Sequence, residues 1–189
     1  MKTIALLFVL LACSTAKHEL KEKDTIEYRF EGTFSESVVF ITKKIVTRHE
    51  DNLWMAVRRR GRGIVDTEWR EYFKDTTDNR RLHNIDKLVQ IVNHVERELP
   101  ATREELNRLY QGTLLIPFGK VYNVSVKHVT VKVCGHRYKA LHETGTQRIG
   151  DKTFYYDEVS SEDFPWYHIS TKYWRGQEIY FQAEIWKCK

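Results

Sequence analysis

Apolar and polar residues alternate with a period of two along most of this chain. Ile26, Tyr28, Phe30 and Phe34 fall between Glu27, Arg29, Glu31 and Thr33. A strand with one face on a core and one in water shows this pattern, because successive side chains point to opposite faces. Ser35-Glu36-Ser37 predicts a turn. Val38 to Arg48 predicts a second strand, with Val39, Ile41 and Ile45 on one side and Lys44 and Arg48 on the other. His49 to Asn52 turns the chain, Leu53 to Val57 predicts a third strand and Glu68 to Phe73 a fourth. The short connections predict an antiparallel meander.

The period then changes. Ile85, Leu88, Val89, Ile91, Val92, Val95 and Leu99 follow a capping His83 or Asn84 and predict an amphipathic helix. Beyond Pro100, Thr102-Arg103-Glu104-Glu105 has the form of a capping box. Leu106, Leu109 and Tyr110 follow, and Gly112 supplies a stop. A two-helix insert at about 84–112 is therefore expected between two β-rich halves.

Strand patterning returns with Val129, Val131 and Val133 on one parity and Tyr138 and Ala140 on the other, which predicts a bulge at Cys134-Gly135. Phe154 to Asp157 predicts a short strand. Tyr167, Ile169 and Tyr173 face one way on the next, and after Arg175-Gly176 the inward set is Ile179, Phe181, Ala183 and Ile185. That pair predicts a closing hairpin. The expected class is mainly β with a mid-chain helical insert (α+β). A curved antiparallel sheet or half-barrel would pack on two helices, as one domain over 25–189. A closed lipocalin-like barrel is the competing architecture. The mid-chain insert and the lack of Gly-x-Trp at the first strand speak against it.

The amino terminus changes the picture most. Lys2 precedes the apolar run Ile4 to Ala12, and Cys13 follows. A membrane-spanning helix needs about 20 apolar residues. A charged start, a short apolar run and a small residue instead make an export signal. Two endings stay open: residues 1–12 removed before Cys13, or 1–16 removed after Ala16. Residues 13–24 read as a charged tether.

Leu10-Leu11-Ala12-Cys13 resembles the lipobox of bacterial envelope lipoproteins. The resemblance implies lipidation of Cys13 and an acyl anchor in the outer membrane of a Gram-negative cell; without lipidation the chain would be secreted. The order of strands, helices and strands resembles the half-barrel lipoproteins of the LolA, LolB and LppX type. That resemblance implies an apolar cavity for acyl chains and a lipid or other amphiphile as ligand. Tyr28, Phe30, Ile169, Tyr173, Ile179 and Phe181 are then candidate ligand-binding residues, each of them equally suited to a plain core.

The chain has 3 Cys. With Cys13 acylated or removed, Cys134 and Cys188 remain as a pair expected to bridge in an oxidising compartment. Net charge is +5, and part of it is local, in Arg58, Arg59, Arg60 and Arg62. In an exported protein this run suits lipid headgroups or cell-wall carboxylates, and no nucleic acid is expected as a partner. A solvated loop or a charged edge strand explains the run equally well. Trp166 and Trp174 lie on the parity opposite Tyr167, Ile169 and Tyr173. They are candidates for an exposed aromatic face that meets an envelope partner. This supports an alternative reading as an adhesin or an accessory subunit.

Catalytic motifs are missing from the sequence: no Gly-x-Ser-x-Gly, His-Glu-x-x-His, Cys-x-x-Cys or phosphate-binding glycine loop. No cofactor is expected, and the leading reading is non-enzymatic. A secreted enzyme is the lesser reading, with His142, Glu143 and Asp157 as its acid–base set. Cys134, His136 and His142 share a parity, but a bridged Cys134 cannot ligate. Six residues of strand also span about 20 Å, so no metal is expected there.

Overall fold

The computed structural model describes residues 21–33, 37–49, 52–73, 85–111, 113, 121–164 and 166–189. Cys13, residues 13–20 of the tether, Phe34 to Glu36, His83, Asn84 and Gly112 lie outside them. The amino-terminal half contributes β1 (Thr25–Glu31), β2 (Val39–His49), β3 (Asn52–Gly61), β4 (Thr67–Phe73), β5 (Ile85–Val92), β6 (Val95–Leu99) and the helix α1 (Arg103–Leu109). The carboxyl-terminal half contributes β7 (Val121–Val133), β8 (His136–Ile149), β9 (Lys152–Ser160), β10 (His168–Arg175) and β11 (Glu178–Cys188). Among the described residues the 11 strands join one open sheet in the order β6-β5-β4-β3-β2-β1-β11-β10-β9-β8-β7, and every neighbouring pair is antiparallel.

The first and last strands therefore lie side by side at the centre. Ile26 pairs with Cys188 and Phe30 with Ala183. Thr25 and Lys189 exchange both backbone hydrogen bonds at 2.9 Å. Each half is a plain meander, and this single long-range pairing makes them one sheet.

The expected α+β class with two packed helices is overturned. Residues 85–99 form the hairpin β5–β6, with Val92 opposite Val95. Asn93 and His94 carry the turn at φ 51° and 66°, and positive φ at both central residues marks the type I′ turn that suits strand twist. Ile85, Val89, Ile91 and Val92 are β-branched, which favours a pleated surface over a helix. Ile85 and Leu88, brought to one face by the irregularity opposite Tyr72 and Phe73, join the core with Leu99, and Val89 is buried as well, so the residues that mimicked a helical stripe serve a strand.

Of the expected insert, α1 remains. Thr102 caps it, its side chain accepting from the Glu105 N–H at 3.4 Å, with Glu104 and Glu105 in the first turn and Arg108 in the last. These charges complement the helix dipole. Leu106 and Leu109 are buried among Trp69, Phe73, Leu88 and Leu99. Burying each stabilises by about 1.5–3 kcal/mol relative to exposure, and that packing holds so short a helix on the sheet.

The parity change at Cys134-Gly135 is a hairpin turn, not a bulge. Val133 pairs with His136, Val131 with Tyr138 and Val129 with Ala140. Cys134 and Gly135 have φ 52° and 85°. Across a two-residue turn, odd positions on one strand face even positions on the other, and this produces the flip. The irregularity in β7 lies between Tyr122 and Ser125, where Asn123 takes φ 53°. A disulfide joins Cys134 to Cys188, as the cysteine count led us to expect. It ties this turn to the end of β11.

Candidate functional site

Two glycine turns build a cleft at one end of the sheet. Gly150 (φ 64°) lies in the turn between β8 and β9, and Gly176 (φ 60°) in the turn between β10 and β11. Ile149 pairs with Lys152 across the first, and Arg175 with Glu178 across the second. The turns set Asp151, Lys152, Arg175 and Glu178 around a cleft of about 370 Å³, which Thr33, just beyond β1, helps to line. Two cations and two carboxylates face the opening, and among the described residues none of the four is engaged in an ion pair.

Two aromatic rings and an isoleucine complete the lining. Phe154 and Tyr180 have ring centroids 4.5 Å apart, and Ile149 lies beside them. The chain reaches this point through Gly32, at φ 128°, where an added Cβ would stand 2.5 Å from the Tyr180 carbonyl oxygen. Only glycine fits so close an approach. Beneath the floor Phe154 and Tyr180 continue into a core of Tyr156, Tyr173, Phe181 and Ala183, with Phe30 packed on it. Tyr156 and Tyr173 stack at 5.7 Å.

The sequence-derived ligand residues divide accordingly. Phe30, Tyr173 and Phe181 support the floor of the cleft from below. Tyr28 and Ile169 belong to an adjoining cluster with Ile26, Tyr138 and Phe164. Ile179 is half-buried opposite Trp174, beyond a bulge. Tyr28, Ile169, Tyr173 and Phe181 are all buried at 9% exposure or less, so they pack as core. Sequence reasoning missed the groups that face the cleft, Phe154, Tyr180 and the four charged residues. Their signal was two Gly turns, each flanked by residues of opposite charge.

Polar groups also enter the interior. Glu71 is fully buried on β4; its Oε1 accepts from Trp69 Nε1 at 2.9 Å and from the Tyr110 hydroxyl at 2.5 Å. Lys43 Nζ stands 3.7 Å from Glu71 Oε2 and 5.1 Å from the Tyr110 ring centre. His168 lies close by. Its backbone oxygen accepts from the Tyr28 hydroxyl at 2.8 Å. Burial, and secondarily the Lys43 charge, push its imidazole down to about 4. Nearer the cleft, the Tyr156 hydroxyl donates to Glu143 Oε1 at 2.7 Å, and burial and then Glu143 raise the Glu158 carboxyl. His142 Nε2 lies 2.8 Å from Asp157 Oδ2, so the structure brings those two candidates together. Glu143 turns away to Tyr156. Among the described residues, no group of three or more His, Cys, Asp and Glu is placed to hold a metal.

The arginine run is not a single patch. Arg59 is 7% exposed and donates to the Arg108 carbonyl oxygen at 3.2 Å, satisfying the carboxyl end of α1. Strand alternation sends Arg58 and Arg60 to the other face. Arg58 Nε donates to Asp66 at 2.9 Å, and Arg60 pairs with the buried Glu27 at 2.5 Å. Arg62 lies exposed in the following turn. Trp166 is no part of an exposed face: it is half-buried and packs against two core clusters. Trp174 is on the outer face, stacked on the exposed Tyr155 at 5.9 Å.

No family model and no curated protein matches the chain. A solved structure of a protein from Bacteroides fragilis NCTC 9343, inferred to be exported and having a YmcC-like fold, aligns with a TM-score of 0.42 and 7% identity. The alignment covers 90% of this chain and 97% of that one. A likeness at this level carries neither fold nor function across. Among the described residues no helix is long and apolar enough to cross a membrane.

Proposed function

We propose that this is an exported envelope protein, anchored through Cys13, that binds an amphiphile without catalysing a reaction on it. The carrying observation is the cleft, in which an aromatic floor of Phe154 and Tyr180 lies under a rim of Asp151, Lys152, Arg175 and Glu178. A concave surface that offers both aromatic rings and convergent charged groups suits a ligand that has both characters. An acyl segment would lie on the rings, and a charged headgroup would meet the rim. The leader from Lys2 to Cys13 supports export. The Cys134–Cys188 bridge fits an oxidising compartment.

The test is organic extraction of the protein purified from its own host, followed by mass spectrometry. The proposal expects co-purified lipid beyond any covalent anchor, reduced in Tyr180→Asp and Arg175→Glu variants. A folded wild-type protein that yields no extractable lipid would overturn it.

A further inference from the structure

The two edges of the sheet are unlike. The β6 edge is 5 residues long and carries Glu96, Arg97 and Glu98. Two of these are ion-paired, Glu96 to Arg70 and Glu98 to Lys87. Short, charged edges discourage strand addition. The β7 edge is 13 residues long, and its first eight residues are exposed without alternation, so both faces are wet there. Val121, Tyr122, Val124 and Val126 are 43–52% exposed. The strand has Lys127 and Lys132 and no acidic residue. A long, valine-rich edge of this kind is a template for another strand.

We propose that β7 pairs antiparallel with β7 of a second copy of this chain, joining two sheets across a two-fold axis. The register follows from the strand's limits. The irregularity between Tyr122 and Ser125 stops regular pairing on one side. The Cys134-Gly135 turn stops it on the other. The regular segment is thus Ser125 to Val133, and using all of it centres the pairing on Val129.

In that register Lys127 faces Val131, Lys132 faces Val126 and His128 faces Thr130 of the other copy. No cation opposes a cation. A slip of one residue would oppose side chains from opposite faces of the two sheets, so the pleat excludes it, and the next two-fold register toward the turn would set His128 against Lys132. One chain supplies both halves of such an interface, and a two-fold pairing closes without leaving a further edge of the same kind.

Charge placement at Val126 tests this. Val126 is 52% exposed, so substitutions there leave the core intact. Sedimentation of the mature full chain should give a dimer. Val126→Lys, opposite Lys132 in both halves, should weaken it about tenfold, whereas Val126→Glu should leave it as tight or tighter. Val129→Cys should cross-link to itself on mild oxidation. Ser125→Cys should not, because its two copies would stand about 26 Å apart. A monomeric wild type, a dimer indifferent to both charges, or cross-linking through Ser125→Cys in preference to Val129→Cys would each overturn the proposal.

Discussion

The Tyr110 hydroxyl donates to Glu71 Oε1 at 2.5 Å inside the core. This bond fastens the residue that ends α1 to the middle of β4. It also supplies a buried carboxylate with one of its two hydrogen-bond donors, Trp69 Nε1 being the other. Removing a donor leaves a charge less compensated where water cannot reach it. Tyr110→Phe should therefore destabilise by about 1–3 kcal/mol. Urea unfolding followed by circular dichroism measures it. A loss below a few tenths of a kcal/mol would mean that Trp69 and Lys43 carry the compensation without Tyr110.

His168 makes stability depend on pH. Its imidazole titrates at about 4 in the folded protein, against about 6.5 in an unfolded chain. The unfolded state therefore takes up this proton first as pH falls. The stability tied to keeping His168 neutral is complete above about pH 6.5 and is lost as pH drops toward 4. Glu158, with its carboxyl raised by burial, works in the opposite sense. The comparison is thus best made between wild type and His168→Gln. The variant should show the shallower fall in urea midpoint across that window, and parallel curves would refute the assignment.

The Cys134–Cys188 bridge closes a separation of 54 residues. In the chain-entropy model such a loop is worth about 4 kcal/mol, and measured values often fall short. The double Cys→Ser variant should lower the thermal midpoint by several degrees or more, and reductant should do the same to wild type. The bridge also fastens the β7–β8 turn, so hydrogen exchange should speed up first around Val133 and His136.

Thr102 tests the capping of α1. Thr102→Ala removes the side-chain oxygen that accepts from the Glu105 N–H and should cost about 1 kcal/mol. Thr102→Ser should cost little. Equal losses in the two variants would assign the effect to packing instead of the cap.

Period-two alternation and turn residues made β1 to β4 and the β10–β11 hairpin legible, because each half of the sheet is built from local pairings. The cap of α1 was legible for the same reason. Residues 85–99 were misread because Ile85, Leu88, Val89 and Val92 satisfy a helical stripe as well as a twisted strand. Their β-branched content and the Asn93-His94 turn were the signals that separate the two. The pairing of β1 with β11 has no local signature. The same holds for Lys43 and Glu71, charged residues at inward positions whose partners lie on other elements. The cleft depends on two turns that adjoin only after the meander has folded.

The most direct test of the amphiphile site is chemical-shift mapping on the isotope-labelled protein, titrated with a short-chain phospholipid below its micelle threshold. Saturable shifts are expected, centred on Phe154, Tyr180, Lys152 and Arg175 and weakened by Arg175→Glu. Shifts scattered over the surface, or none at these residues in a folded sample, would contradict it.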